Sequence, residues 1–197
     1  MVFPIFSLLI ASSAPAATSC FDFETKIVKP LHAPIPLVAG ADKTESGETT
    51  GGLNWGALRA AVNKPVSVLY RLLLDHHTTA SSRIDEMKVE KITSPSYLNL
   101  ERVSFLIKPF LFVKVRWTEE WGFALVQGTA ADPEELVVSY QKTEGTSHIE
   151  HLCGNMVLRK LTDKSTDVFL YEEAKATGRK PKDTMDGLMG TLKTLRK

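Results

Sequence analysis

The sequence predicts an α+β domain in which a curved antiparallel sheet of about seven strands wraps around one long C-terminal helix. Over residues 83–175, branched or aromatic side chains alternate with polar ones, as is typical of strands. The pattern then changes to helical spacing over residues 184–195. A helix with one apolar face must bury that face, and the preceding sheet is the nearest surface. We therefore expect the sheet and helix to enclose a cavity.

The terminal helix carries one apolar stripe, because its large apolar residues recur every three or four positions. These residues are Met185, Leu188, Met189, Leu192 and Leu195. Methionine adapts to ligands of varied shape. We therefore predict that Met185, Met189 and Leu192 line the cavity and contact a ligand.

Length and composition limit the classes of protein that fit. A chain of 197 residues with 43% hydrophobic content is long enough for one domain with a sizeable core. A net charge of +1 argues against nucleic acid as a partner. Residues 175–197 hold seven basic side chains and two acidic ones. This basic end predicts either peripheral contact with an anionic membrane or a solvated helix terminus.

The first 17 residues predict an export signal, and hence a periplasmic protein. An apolar run over residues 2–10 precedes Ala14 and Ala16, which have the small-x-small spacing of a cleavage site. The run is shorter than the ~20 residues of a membrane span. No Lys or Arg precedes it, so a buried N-terminal segment is the alternative.

Cys20 has three possible uses, and the sequence leaves all three open. A disulfide with Cys153 fits an oxidising compartment. Both cysteines can instead be free thiols, with Cys153 acting as a small buried residue. Residues 17–20 also loosely resemble a lipoprotein cleavage box, although Ala17 stands where such a box usually has Leu.

Residues 18–52 are predicted to be an extended linker, and residues 53–197 the ligand-binding domain. Three X-Pro pairs favour extended chain, and residues 40–52 are rich in Gly, Thr, Ser and Glu. The domain is expected to begin with a strand and a helix, at residues 55–62 and 65–75. Further strands are predicted at 84–93, 97–107, 112–127, 136–143, 148–161 and 166–177. The strand at 112–127 is long enough to require a bend or bulge.

The passage at residues 61–75, where Pro65 opens a helix and Asp75 closes it, resembles a known superfamily. Residues 137–142, 154–159 and 166–171 are similar to its closing strands. This is the START-like helix-grip superfamily, also named SRPBCC, which includes lipid-transfer domains and polyketide cyclase-like proteins. The resemblance covers residues 53–197. It implies a cavity for a lipid or other apolar ligand, without implying catalysis, and we expect no cofactor.

Six charged residues interrupt strands that otherwise could bury a face: Arg102, Arg116, Glu119, Glu150, Glu172 and Glu173. A charge aimed into a cavity is costly unless paired, so each could anchor a ligand group. The alternative is that strand periodicity directs them to solvent. From this set we predict ligand contacts by Arg102, Arg116 and Glu150, and we expect Trp117 and Trp121 in the cavity wall.

No metal site is predicted. His148 and His151 would point to opposite faces of a strand, and the pair formed by His151 and Cys153, which shares a face, is a weak signal by itself. The leading functional hypothesis is an exported, non-catalytic carrier of an apolar ligand. An enzyme using Glu150, His148 or Arg102 as acid–base groups is the second, favoured by ionisable groups converging in the cavity. A cell-envelope interaction protein with a filled cavity is the third.

Overall fold

The computed structural model describes residues 19–25, 29–79, 84–110 and 113–197. The predicted signal peptide, residues 1–17, lies outside the described residues. Among the described residues, no helix has both the length and the apolar character needed to cross a membrane.

The described chain forms one open antiparallel sheet of eight strands, in the order β1-β2-β8-β7-β6-β5-β4-β3. The strands are β1 (Lys43–Glu48), β2 (Asn54–Val62), β3 (Glu86–Ile92), β4 (Asn99–Phe110), β5 (Val113–Gly128), β6 (Pro133–Gly145), β7 (Ile149–Thr162) and β8 (Ser165–Ala176). As predicted for the longest strand, the pairing of β5 with β6 shifts register, between Thr118 and Glu119 and again between Leu125 and Gln127. Such shifts bend a long strand and let it follow a curved sheet.

Three helices accompany the sheet: α1 (Val66–Leu74), α2 (His76–Thr79) and α3 (Pro181–Arg196). Helix α3 begins with a proline in its first turn, where the missing N–H costs nothing, and Asp183 accepts a hydrogen bond from the Lys180 backbone N–H at 2.8 Å. Its apolar stripe packs on β2, β1 and β8. Leu188, Leu192 and Leu195 of this stripe are buried in the main core.

The predicted fold class is confirmed: the molecule is α+β, with an antiparallel sheet gripping a C-terminal helix. The eighth strand is β1, which lies within the stretch predicted to be a linker. Residues 43–48 pair with β2 through their backbone and keep mostly exposed side chains. Their polar sequence therefore suits an edge strand that buries little, which is why composition alone indicated a linker.

The described residues of the predicted linker that precede β1 lie across the outer face of the sheet, opposite α3. We call residues 19–25 and 29–42 the N-terminal strap. Phe21 and Ile35 of the strap are buried, Ile35 against the sheet, and the His32 ring stacks on Trp55 and Tyr171 at 5.5 and 5.2 Å between centroids. The strap therefore covers apolar side chains on the face of the sheet that does not contact α3.

A disulfide joins Cys20 of the strap to Cys153 of β7. Of the three uses of Cys20 that the sequence left open, this is the one present in the structure. Nearby, the Gln141 side chain accepts hydrogen bonds from the backbone N–H groups of Cys20 and Phe21, each at 2.9 Å. The strap is thus attached by a covalent bond and by satisfied polar contacts.

Candidate functional site

A cavity of about 560 Å³ lies between the inner face of the sheet and α3. Its volume falls in the range of small-molecule sites, roughly 300–1,000 Å³. The lining comes from β4 to β8, α2, α3 and the segments beside them. It comprises His76, Ile84, Phe105, Trp117, Glu119, Trp121, Tyr140, Leu152, Met156, Glu172, Arg179, Asp186, Gly187, Leu188, Gly190, Thr191 and Thr194.

Aromatic rings form much of the wall. Trp117 and Trp121 of β5 are four residues apart, so they project to the same face of the strand. Phe105 stacks on Trp117 with centroids 4.9 Å apart, and Tyr140 stacks on Trp121 at 4.4 Å. These rings give the cavity a rigid, apolar surface of the kind that flat or elongated apolar molecules contact well.

Glu119 lies between the two tryptophans on the same strand face and is buried. Its carboxyl accepts hydrogen bonds from Trp117 Nε1 at 2.6 Å and from Trp121 Nε1 at 2.8 Å. Burial raises the pKa of Glu119 to about 7, although both indole hydrogen bonds act in the opposite direction. At neutral pH this group can therefore either donate or accept a proton.

A second polar group sits at the junction of β8 and α3. Arg179 Nη2 pairs with Glu172 Oε1, and the Tyr140 hydroxyl donates to Glu172 Oε2 at 2.8 Å. Arg179 also donates from Nε to the Thr184 hydroxyl at 3.2 Å, in the first turn of α3. Burial, together with Glu172, raises the pKa of Tyr140 well above its usual range, so its hydroxyl stays protonated. This network ties α3 to the sheet at one end of the cavity.

A third ionisable side chain reaches the cavity from α2. His76 Nε2 lies 2.9 Å from Glu101 Oε2, and both side chains are almost completely buried. The His76 ring also meets Trp121 edge to face at 4.9 Å. Three carboxyl groups (Glu119, Glu172 and Asp186), one guanidinium (Arg179) and one imidazole (His76) therefore line the cavity. Glu172 pairs with Arg179, Asp186 with Lys182 and His76 with Glu101.

The cavity opens to solvent along one side of α3. Gly187 and Gly190 line it and are exposed, and a Cβ added at either position would meet no atom within 4 Å. The absence of side chains at these two helical positions leaves space beside the helix. This gap is the path by which a ligand could reach the interior.

Of the eight predicted ligand contacts, Trp117 and Trp121 line the cavity and six do not. Arg102 is paired with Glu120 and Glu150 with Lys175, while Arg116 is exposed. Arg102 and Arg116 lie on the strand face opposite the cavity, because strand side chains alternate and Phe105 and Trp117 of the same strands line it. Glu150 stands at a register shift at the start of β7 and is exposed.

The helix stripe also differs from the prediction. Leu192 is buried in the core rather than in the cavity wall, and Met185 is partly buried against the same core. Met189 is 41% exposed, since it lies at the edge of the stripe. The cavity is lined by the neighbouring face of α3, which carries Gly187, Gly190 and Thr191.

Sequence reasoning did not select the polar residues that do face the cavity. Glu119 and Glu172 were among the charged residues noted on apolar strands. No pattern in the sequence marked Tyr140, Arg179 or His76 as residues that face the cavity. The pattern Trp117-x-Glu119-x-Trp121 was the available clue, because it places a carboxyl between two indoles on one strand face.

This architecture is a START-like helix-grip fold. No protein-family model and no curated protein matches the sequence. Among solved structures, the human StarD13 (DLC2) lipid transfer and protein localization domain superposes with a TM-score of 0.58 at 9% identity, over 88% of this chain and 90% of that one.

Two further structures share the fold. The STAR-related lipid transfer protein from Xanthomonas axonopodis has a TM-score of 0.58 at 14% identity, over 81% of this chain and 93% of that one. The di-domain ARO/CYC StfQ of the steffimycin biosynthetic pathway has a TM-score of 0.50 at 15% identity, over 71% of this chain and 43% of that one. At these identities the similarity concerns the fold.

Proposed function

We propose that this protein binds one lipid or other apolar small molecule in the cavity between the sheet and α3. The observation that carries the proposal is the aromatic wall of Trp117, Trp121 and Phe105 around a cavity of about 560 Å³ that opens beside α3. Two of the structures with the same fold are named as lipid-transfer proteins, which supports this class of ligand.

The polar groups in the cavity suit a ligand with a neutral hydroxyl or carbonyl group. Arg179 is already paired with Glu172, and His76 with Glu101, so the described residues that line the cavity include no unpaired cation for a phosphate or carboxylate. Glu119, whose pKa is about 7, can donate to a carbonyl or accept from a hydroxyl. A neutral polar group would therefore gain a hydrogen bond without leaving a charge unpaired.

We further propose that the protein works outside the cytoplasm, as a carrier in the periplasm. The disulfide between Cys20 and Cys153 supports this location, because such bonds persist in oxidising compartments. Comparing the N-terminal mass of the mature protein in cell fractions tests it. A chain beginning after the region of Ala17 in the periplasmic fraction is the expected result, and an intact N-terminus in the cytosol would contradict it.

Native mass spectrometry of protein purified from its own cells, followed by solvent extraction, tests the binding proposal. We expect a copurifying apolar molecule at a near-stoichiometric amount. Leu152→Trp should abolish copurification by filling the cavity, whereas Leu161→Trp, at an exposed position on the same strand, should not. Copurification that both variants retain, or an empty wild-type protein that also binds no fluorescent apolar probe, would refute the proposal.

An enzyme acting on the same kind of ligand is the second candidate, and a specific observation favours it. The ionisable groups Glu119, Glu172 and His76 converge on the cavity, and a carboxyl with a pKa of about 7 suits general acid–base chemistry. The groups first considered for this role, His148, Glu150 and Arg102, do not line the cavity. A hypothesis based on a filled cavity and a docking surface has less support, because the cavity is open.

The two candidates separate by the fate of the bound molecule. Incubating the extracted ligand with fresh protein at about pH 7 and recording its mass distinguishes them. An unchanged mass supports the carrier. A product formed by the wild type and by Glu120→Gln, but not by Glu119→Gln, would show that Glu119 takes part in catalysis.

A further inference from the structure

A second cluster of reactive side chains lies on the outer face of the sheet, away from the cavity. Cys153 of β7 and Glu173 of β8 are direct partners across the two strands. His151 is two residues before Cys153 and so projects to the same face. Cys20 reaches this point from the N-terminal strap. The potential ligand atoms of all four residues lie within 4.8 Å of one another.

The distances within this cluster are those of groups that converge on one point. Cys20 Sγ lies 3.5 Å from His151 Nε2 and 3.8 Å from Glu173 Oε1, and those last two atoms are 3.0 Å apart. Two sulfurs, one imidazole nitrogen and one carboxylate oxygen form a donor set that suits tetrahedral Zn²⁺. Such a set also excludes Mg²⁺ and Ca²⁺, which prefer oxygen ligands.

The surroundings hold these groups in place. The Tyr171 hydroxyl donates to Glu173 Oε2 at 2.9 Å, which leaves Oε1 directed at the cluster. Gln141 holds the backbone of Cys20. Hydrogen bonds from neighbouring residues, such as these, orient the ligands in metal sites.

We propose that Cys20, His151, Cys153 and Glu173 form a zinc site when the disulfide is reduced. The disulfide and the metal exclude each other, because zinc binds thiolates and the disulfide has none. In the presence of a phosphine and water, the S–S bond breaks, each sulfur gains a proton, and the phosphine is oxidised to its oxide. Zinc binding then releases the two thiol protons to solvent and replaces the His151–Glu173 hydrogen bond.

Cobalt titration of the full chain tests this proposal. Protein reduced with a trialkylphosphine without oxygen should bind one Co²⁺ and show thiolate-to-cobalt charge transfer and the intense visible bands of four-coordinate cobalt. One equivalent of Zn²⁺ should remove both signals. The untreated, disulfide-bonded chain should show neither, and it serves as a control with the same amino acids. Equal signals from reduced and oxidised protein would overturn the proposal.

Variants identify the other two ligands without changing the cysteines. His151→Gln and Glu173→Gln should each weaken zinc binding by about 100-fold or more. Even the loss of a residue that only hydrogen-bonds to a ligand costs about 10–100-fold in metal affinity. His148→Gln, at an exposed position in the turn before β7, should leave affinity unchanged. Tryptophan fluorescence reports whether each reduced chain is folded. If reduction unfolds the chain, zinc should restore the fold in the wild type and in His148→Gln only; restoration in all variants, or in none, would overturn the proposal.

Discussion

Replacing Glu119 with Gln tests the main electrostatic feature of the cavity, which is a buried carboxyl with a pKa of about 7. The pKa of Glu119 rises from an ordinary 4.5 to about 7 in the folded protein. Below about pH 4.5, the group is protonated in both the folded and unfolded states. Between about pH 4.5 and pH 7, Glu119 keeps its proton in the folded chain but has lost it in the unfolded chain. The free energy of unfolding therefore falls as pH rises through about 7.

The magnitude follows from the size of the shift. One pKa unit corresponds to about 1.4 kcal/mol, so the free energy of unfolding should fall by about 2–3 kcal/mol between about pH 5 and pH 8 because of this group. Gln cannot ionise, and this part of the pH dependence should vanish. The amide accepts only one indole N–H, so Glu119→Gln should also lose about 1–3 kcal/mol at every pH.

Urea denaturation followed by tryptophan fluorescence, at several pH values from about 5 to 8, measures both effects. The difference in unfolding free energy between the wild type and Glu119→Gln should change by about 2–3 kcal/mol across that range. Glu120→Gln is the matched control, since Glu120 lies on the opposite strand face and pairs with Arg102. Parallel pH curves for the wild type and Glu119→Gln would refute the reasoning about burial.

Three further outcomes are expected. Leu192→Ala should lower the free energy of unfolding by about 2–5 kcal/mol and Met189→Ala by less than about 0.5 kcal/mol, because only Leu192 is buried. Urea denaturation midpoints measure both losses, and equal losses would contradict the packing of α3. Gly154→Ala should displace the Tyr140 ring, since a Cβ at position 154 would lie 2.2 Å from Tyr140 Cζ. A fluorescent apolar probe should therefore bind the variant more weakly than the wild type. Unchanged binding would show that Tyr140 does not shape the cavity. The disulfide joins residues 133 positions apart, and its reduction should lower the free energy of unfolding by up to about 5 kcal/mol in metal-free buffer. An unchanged free energy of unfolding after confirmed reduction would contradict the role of the disulfide in holding the strap.

Local patterning was enough to predict the domain that grips α3. The alternation along β2 to β8 and the helical spacing after Pro181 each depend on a few neighbouring residues, and both elements appear where predicted. The place of Trp117 and Trp121 in the cavity wall was predicted for the same reason. A strand presents every second residue to one face, whatever lies on that face.

Periodicity could not tell which sheet face borders the cavity, because both faces are partly covered. The strap buries Val137, Val157 and Phe169 on the outer face, so apolar residues there look much like those beneath α3. Charged residues such as Arg102 and Arg116 were therefore predicted to contact a ligand, although they lie on the face opposite the cavity. The edge strand β1 was missed because its stability comes from backbone pairing with β2, which leaves little trace in side-chain composition.

By itself, the sequence determined the order of β2 to β8 with α1 and α3, the apolar stripe of α3 and the face shared by Trp117, Glu119 and Trp121. Only the tertiary structure decided that Arg179 pairs with Glu172, that Tyr140 joins them, and that Cys20 meets Cys153, His151 and Glu173. The physical reason is that secondary structure depends on neighbours within a few residues. The cavity network and the outer cluster instead depend on the register between strands and on where the strap crosses the sheet.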